Sequence, residues 1–245
     1  SGNRNATSGI VYATVFYVIR MLIGEDMPLN EGLLQGIAIE IPEDSLLNPV
    51  AKNGKRPAVA AGNVETSQQL VDLLLMAFGE MAASQGTMNN FLFGDEAKGT
   101  LKSYYETIGG GVGASAIGPG ATGVQSHMTN TRLTDPEVLE GRFPVRLIRH
   151  QIRPDSGGNG KNPGGCGVIR EYEFLKPVTA TLITSRRRLA PPGLAGGQSG
   201  CCGKNIKISA VGVEEKLGST FTGPIQPGER IVIHTPGGGG FGSFD

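Results

Sequence analysis

The amino-acid sequence predicts an α+β fold with a helical N-terminal half, packed on glycine-rich loops, and a β-rich, antiparallel C-terminal half. Before residue 86, two stretches repeat apolar residues at three- and four-residue spacing, and beyond it short β-prone runs alternate with turns rich in Gly and Pro. The 245 residues are 38% hydrophobic, which is enough to build a core. We divide the chain into 1–142, which carries most site motifs, and 143–245, which is β-rich; the two parts could also form one continuous domain.

The N-terminal half contains the predicted helices. The first spans 7–23, with Thr7 or Ser8 as N-cap and Gly24 at its end. The second spans 65–84 and begins at Thr66 or Ser67. The side chains expected on one buried face of this helix are Leu70, Leu74, Ala77, Phe78 and Met81. Between the helices, a strand is expected over 32–41 and a polar loop over 48–58.

The C-terminal half contains the predicted strands. Four β-prone runs lie between Gly- and Pro-rich turns, at 143–152, 167–175, 178–184 and 230–235. This spacing is typical of an antiparallel sandwich or a barrel-like layer.

Charge and cysteine content exclude several classes of function. The 22 basic and 22 acidic residues cancel, so binding to nucleic acid or a membrane surface through bulk charge is excluded as a first hypothesis. The longest apolar stretch, 10–23, is interrupted by Thr14 and Arg20, so we expect no membrane span. An odd number of cysteines, three, favours a reducing compartment, and we expect a cytoplasmic protein. A neutral chain lacks charge repulsion between copies, which favours a chain that contacts a partner.

The sequence contains 39 glycines, many in runs. No Gly-Lys pair continues into Ser or Thr, so a phosphate-binding P-loop is absent from the sequence. Residues 111–116 match a dinucleotide fingerprint only as GxGxxA and lack its strand–helix setting and ribose-binding acid. Two interpretations remain for 109–113: glycines that allow tight turns, or exposed amides that hold an anion.

The segment around His127 is rich in hydrogen-bonding side chains and poor in core residues, as a site loop would be. It includes Asn130 and Arg132, and a polar surface loop is the alternative. His150 and His234 lie inside β-prone runs and fit ordinary strand residues.

Three further polar clusters flank apolar elements, at 63–68, 84–90 and 104–107. Asn, Gln and Thr side chains grouped with one carboxylate fit a ligand cradle better than a charge relay. Glu65 could act as a general base if buried, or simply favour a helix N-terminus. The triplet 186–188 could bind a carboxylate or phosphate, or form a solvated face or a subunit contact.

Eight segments, taken in order, resemble one family closely, the B-type component of the hydantoinase/oxoprolinase group. They are GNRNA (2–6), GNVETSQ (62–68), ASQGTMNN (83–90), YYETIGGGVGA (104–114), GVQSHMTNTRLTDPEVLE (123–140), PDSGGNGKNPGGCGVIREYEF (154–174), RRRLAPPGLAGG (186–197) and HTPGGGGFG (234–242). The resemblance implies an A-type, ATP-binding partner that phosphorylates a cyclic amide carbonyl, after which the B component assists hydrolysis. The alternatives are a subunit of an ATP-dependent ketone carboxylase and a non-catalytic assembly module of such a complex.

Within this hypothesis the site residues fall into two groups. We expect His127, Glu65 and Glu106 to be catalytic. We expect Gln85, Asn89, Gly110, Gly111, Asn130 and Arg132 to bind the lactam substrate, with the amides of 109–113 stabilising negative charge. ATP would reach the reaction through the partner of a hetero-oligomer. The family's divalent-metal motif lies upstream of this sequence, so we expect no metal ligands here and a C-terminal fragment of a longer polypeptide.

Overall fold

A computed structural model describes residues 2–25, 28, 30–95 and 102–244 and confirms the α+β fold. The helices are α1 (Ser8–Ile23), α2 (Ser67–Ala77) and α3 (Pro136–Arg142). The strands are β1 (Asn90–Asp95), β2 (Lys102–Glu106), β3 (Val145–Ile152), β4 (Val168–Phe174), β5 (Val178–Ile183), β6 (Lys204–Ile208), β7 (Glu214–Leu217), β8 (Thr220–Ile225) and β9 (Arg230–His234). Among these described helices, none has both the length and the apolarity needed to cross a bilayer.

Two antiparallel sheets share the main core. One has the strand order β2-β1-β5-β8 and the other β3-β4-β9-β6-β7. All four predicted β-prone runs form strands, β3, β4, β5 and β9. Because β1 and β2 precede residue 142 and pair in one sheet with β5 and β8, strands from both parts of the chain contribute to this core. Its fully buried side chains include Phe91, Tyr172, Phe174, Leu182 and Ile231.

The first helix follows the prediction. It starts after Thr7 and ends at Gly24, whose φ of 67° gives the left-handed cap that glycine favours. Its buried face, which includes Val18, packs on Val71 and Leu75 of α2.

Two predictions in the N-terminal half are wrong. The expected strand over 32–41 is instead a 3₁₀ turn, Glu31–Leu34, capped by the side chain of Asn30, followed by residues without regular structure. Gly36 has a φ of 87°, which breaks an extended run.

The prediction of which face of the second helix is buried is also wrong. A π-helical turn, Gly62–Thr66, precedes α2, so neither Thr66 nor Ser67 acts as a side-chain cap. The helix buries Gln68, Val71, Asp72 and Leu75, whereas Phe78 is exposed. The apolar pattern failed here because three polar residues, Ser67, Gln68 and Asp72, occupy the inward face.

The glycine-rich loops pack backbone against backbone. Gly111 donates its N–H to the carbonyl of Pro236 (3.0 Å), Gly165 to Val112 (2.9 Å), and Gly239 to Ala83 (2.8 Å). A Cβ atom on Gly111 would lie 2.0 Å from the Gly165 carbonyl oxygen and 2.2 Å from the Gly238 nitrogen. Close backbone approach therefore explains the glycine content of these loops, and their contact with Ala83 attaches them to the segment that carries the candidate site.

Candidate functional site

Residues 82–90 form a buried segment between α2 and β1 and connect two polar networks. At one end, the hydroxyl of Ser84 reaches His127. At the other, the hydroxyl of Thr87 reaches Glu65. The predicted catalytic residues His127 and Glu65 thus bond to side chains only three positions apart, Ser84 and Thr87. The two predicted catalytic residues do not contact each other directly.

The imidazole of His127 is held on both of its nitrogens. Nε2 lies 2.9 Å from Ser84 Oγ and 3.5 Å from Asp72 Oδ1, and Nδ1 lies 3.4 Å from the hydroxyl of Tyr17. The side chain is only 4% exposed. The ring is therefore fixed in position.

The backbone at His127 is strained, with a φ of 52°. Gln68 of α2 holds the loop on both sides of this residue: its Nε2 donates to the carbonyl of Ser126 at 2.9 Å, and its Oε1 accepts from the N–H of Met128 at 3.4 Å. Non-glycine residues in this conformation concentrate at functional sites. The fold therefore stabilises a loop geometry that the local sequence would not adopt alone.

The His127 network is not a nucleophilic triad. In a Ser-His-Asp triad the carboxylate holds one ring nitrogen and the nucleophile contacts the other. Here Ser84 and Asp72 both face Nε2, and Ser84 is fully buried and accepts a hydrogen bond from the Gly113 N–H at 3.0 Å. This arrangement anchors the imidazole in one orientation.

A cavity of about 600 Å³ adjoins the imidazole. Phe16 and Tyr17 of α1 and Met128 give it a mostly apolar wall, and Asn130 contributes a polar edge. Small-molecule sites combine this kind of apolar enclosure with a few polar groups. His127 and Asn130 are therefore brought together at one cavity, whereas Arg132 lies in an exposed part of the same loop.

The second network surrounds the carboxyl of Glu65, which is fully buried. Oε1 accepts hydrogen bonds from Thr87 Oγ1 (2.7 Å), Asn90 Nδ2 (2.9 Å) and the Met88 N–H (3.3 Å). Burial raises the pKa of Glu65 to about 7, against the opposing effects of neighbouring hydroxyls and of Arg187. A carboxyl with this pKa can give or take a proton near neutral pH.

Gln85 and Asn89 lie on the same buried segment as Thr87. Asn89 bonds to other protein groups, whereas Gln85 Nε2 has no hydrogen-bond partner among the described residues. Asn89 Nδ2 donates to Gln85 Oε1 at 2.7 Å, and Asn89 Oδ1 accepts from Arg187 Nη1 at 2.9 Å. Burial lowers the pKa of Arg187 to about 9. These contacts orient the two amides, and their predicted role in binding substrate stays a prediction.

Gly110 and Gly111 lie in the packed glycine loops. Their N–H groups donate to the carbonyls of Val124 and Pro236, both at 3.0 Å. These amides have protein partners, so the prediction that this loop holds developing negative charge would require them to exchange partners.

Glu106 lies in a different network, in the core shared by the two sheets. Its Oε1 accepts a hydrogen bond from Arg170 Nε at 2.9 Å. Its Oε2 accepts hydrogen bonds from Arg170 Nη2 at 3.1 Å and from the Tyr104 hydroxyl at 2.7 Å. Both ionic side chains are almost fully buried, at 3% and 2% exposed. This geometry is that of a structural ion pair, and it does not place Glu106 with His127 and Glu65.

Three residues of the His127 network were not predicted from the sequence: Tyr17, Asp72 and Ser84. Asp72 could have been found from the sequence, because it follows Gln68 by one helical turn and is the one charged residue of α2. Ser84 lies in the polar cluster at 84–90, and Tyr17 lies in the mostly apolar sequence of α1. No residue-level signal joins them, since each comes from a different element.

The described part of the chain contains no group of three or more His, Cys, Asp or Glu side chains able to hold a metal ion. The divalent metal that the resemblance implies therefore has no ligand set among these residues.

The structure thus combines a two-sheet α+β core, glycine-packed loops and buried polar networks, with a cavity beside His127. The Hydantoinase B/oxoprolinase family matches residues 1–244, and the chain belongs to this family.

Relatives of known sequence support this assignment along the whole chain. The chain is 48% identical to 5-oxoprolinase 1 of Arabidopsis thaliana over 99% of its length and 18% of that protein's. It is 47% identical to the 5-oxoprolinase of Dictyostelium discoideum over 100% of its length and 19% of that protein's. The chain therefore spans about a fifth of these relatives.

A solved structure shares the fold. The ATP-dependent caprolactamase from Pseudomonas jessenii superposes with a TM-score of 0.78 over 98% of this chain and 44% of that one, at 24% identity.

Proposed function

We propose that this chain is the B-type part of an ATP-dependent enzyme that hydrolyses a cyclic amide. The observation that carries the proposal is the similarity to 5-oxoprolinases along the entire chain. The cavity beside the anchored imidazole of His127 supports it, because it offers a lactam a mostly apolar wall with this imidazole at its edge.

The chemistry explains why ATP would be needed. An unstrained amide is a poor electrophile, and transfer of a phosphoryl group to its oxygen makes the carbonyl carbon reactive and creates a leaving group. Water then adds its oxygen to that carbon and gives a proton to His127. The ring C–N bond then breaks as the nitrogen takes a proton, which leaves an acyl phosphate. A second water hydrolyses the acyl phosphate, which releases inorganic phosphate and the ring-opened amino acid. Glu65, with its pKa near 7, would be a second group able to give or take a proton near neutral pH.

An A-type, ATP-binding component is the proposed partner. Helix α1 has one charged residue in sixteen and exposes Tyr12 (42%) and Met21 (43%) on its surface. Exposed apolar area of this kind supports contact with another protein surface. The three cysteines are unpaired, which supports a reducing, cytoplasmic setting.

The test uses the native assembly and measures phosphate release from ATP that depends on 5-oxoproline or hydantoin. His127→Gln should lower lactam-dependent turnover by about 10²–10⁴-fold, the usual contribution of a general acid–base group. His150→Gln, an exposed strand histidine, is the matched control and should stay within about twofold of wild type.

Three outcomes would contradict the proposal. Unchanged turnover in both His127→Ala and Glu65→Ala would remove the site assignment. Copurification with an ATP-binding partner, without turnover of any lactam or ketone, would make the chain an assembly module. ATP-dependent carboxylation of a ketone would place it with the carboxylases.

A further inference from the structure

A second cavity, of about 330 Å³, lies where the N-terminal residues meet the turn that follows β5. Four of its lining residues are arginines, and the described residues that line it include no carboxylate. We refer to the pocket formed by Arg4, Arg186, Arg187 and Arg188 as the arginine cleft.

Arg187 provides a fixed charge at the cleft. Its Nη1 donates to Asn89 Oδ1 (2.9 Å) and to the Ser185 carbonyl (2.7 Å), and its Nη2 donates to Asn205 Oδ1 (2.8 Å). These acceptors are uncharged. The buried carboxyl of Glu65 acts on the guanidinium electrostatically but forms no ion pair with it within the described chain.

The other three arginines add charge with little compensation. Arg186 faces Asp72 at 3.5 Å, and Arg4 donates from Nη2 to the carbonyl of Thr184 at 2.9 Å. Arg188 is exposed and has no acidic partner in the part of the chain that the structure describes. Three of the four guanidinium groups therefore lack a salt-bridge partner within the described residues.

The backbone concentrates these side chains. Arg186 has a φ of 56°, in the left-handed region that non-glycine residues rarely adopt. In an extended triplet, alternate side chains would point to opposite faces. The left-handed turn departs from that alternation, and all three consecutive arginines line the same cleft.

We propose that the arginine cleft binds the phosphoryl group of a small molecule. Guanidinium groups present pairs of N–H donors that match phosphate oxygens, and several arginines around one pocket match a dianion better than a monocarboxylate. The cleft is large enough for a phosphoryl group and a small organic part. The inference stands apart from the proposed hydrolysis, because it rests on charge and geometry at a separate cavity.

The experiment is titration calorimetry of the native assembly with inorganic phosphate, in the absence of nucleotide. The wild-type protein should bind phosphate in the low millimolar range or tighter. Arg188→Gln and Arg4→Gln should each weaken binding about tenfold, which is the loss of one charge-assisted contact. Arg142→Gln at the exposed end of α3 is the matched control and should leave the affinity unchanged.

Acetate and a phosphorylated carboxylic acid serve as further probes. Weaker binding of acetate than of phosphate supports the phosphoryl class, and tighter binding of the phosphorylated acid shows that the cleft also accommodates an organic part. Equal affinity for acetate would overturn the phosphoryl assignment. Equal phosphate affinity in wild type, Arg4→Gln and Arg188→Gln would overturn the site, whatever the lactam assay gives.

Discussion

Replacement of Gly111 by alanine tests the packing of the glycine-rich loops. The added methyl carbon would lie 2.0 Å from the carbonyl oxygen of Gly165 and 2.2 Å from the backbone nitrogen of Gly238. Ordinary carbon–oxygen contact needs well over 3 Å, so each overlap exceeds an ångström. Both neighbours are backbone atoms, and no side-chain rotation can move them away. The loops themselves would have to separate.

The cost follows from what separation breaks. Two hydrogen bonds would lengthen together: the one from the Gly111 N–H to the Pro236 carbonyl (3.0 Å) and the one from the Gly238 N–H to the Gly165 carbonyl (2.9 Å). Overpacking alone costs about 1–3 kcal/mol, and lost backbone bonds about 1 kcal/mol each. We expect a loss of about 3–5 kcal/mol, a large share of the roughly 5–15 kcal/mol that stabilises a typical domain. At about 2–4 °C per kcal/mol, the melting temperature should fall by about 6–20 °C.

Thermal unfolding followed by circular dichroism measures this change. Gly118→Ala is the matched control, since its Cβ would meet no atom within 4 Å, and it should lie within about 0.5 kcal/mol of wild type. Gly141→Ala, in α3 and equally unobstructed, should stabilise by about 0.5–1 kcal/mol through helix propensity. A Gly111→Ala protein that melts within 2 °C of wild type, at about the precision of the method, would refute the packing argument.

Three further predictions concern the polar networks. Because burial raises the pKa of Glu65 to about 7, the folded state binds this proton more tightly than the unfolded state does. The free energy of unfolding should therefore fall by up to about 3 kcal/mol as pH rises from about 4.5 to 7. Glu65→Gln should flatten this slope in urea titrations, and an unchanged slope would contradict the prediction. Arg170→Ala should lower the free energy of unfolding by about 3–5 kcal/mol, because it leaves Glu106 buried and unpaired. The control Arg146→Ala, at an exposed position on strand β3, should lower it by less than about 1 kcal/mol in the same assay. Ser84→Ala should reduce lactam turnover while preserving the melting temperature within a few degrees; full turnover would show that the hydroxyl does not position His127.

Local sequence patterns were sufficient to predict the elements whose buried and exposed faces follow their apolar periodicity. Helix α1 was predicted nearly to the residue because its apolar repeat and Gly24 cap act over short distances. The same holds for the runs that became β3, β4, β5 and β9, where β-branched residues alternate between turns. The run at 32–41 pairs with no strand among the described residues, and the absence of a partner cannot be read from the run itself.

The sequence was sufficient to select candidate site residues such as His127 and Glu65, but it did not predict which residues they contact. His127 and Glu65 were selected because they stand in polar segments beside apolar elements. Their burial, and contacts with Asp72, Ser84 and Thr87, arise from segments distant in sequence. Glu106 shows the opposite case, since its setting in sequence resembled a site while the fold pairs it with Arg170, sixty-four residues away.

By itself, the sequence determined the α+β class, the strand-forming runs, the first helix and the family resemblance, since each depends on local order along the chain. The tertiary structure alone decided which polar groups lose water and which partners they find. Burial moved the pKa of Glu65 toward neutrality, and backbone contact between separate loops made the glycines a packing requirement. Both effects depend on atoms brought together from distant positions, because desolvation and close contact are properties of the assembled fold.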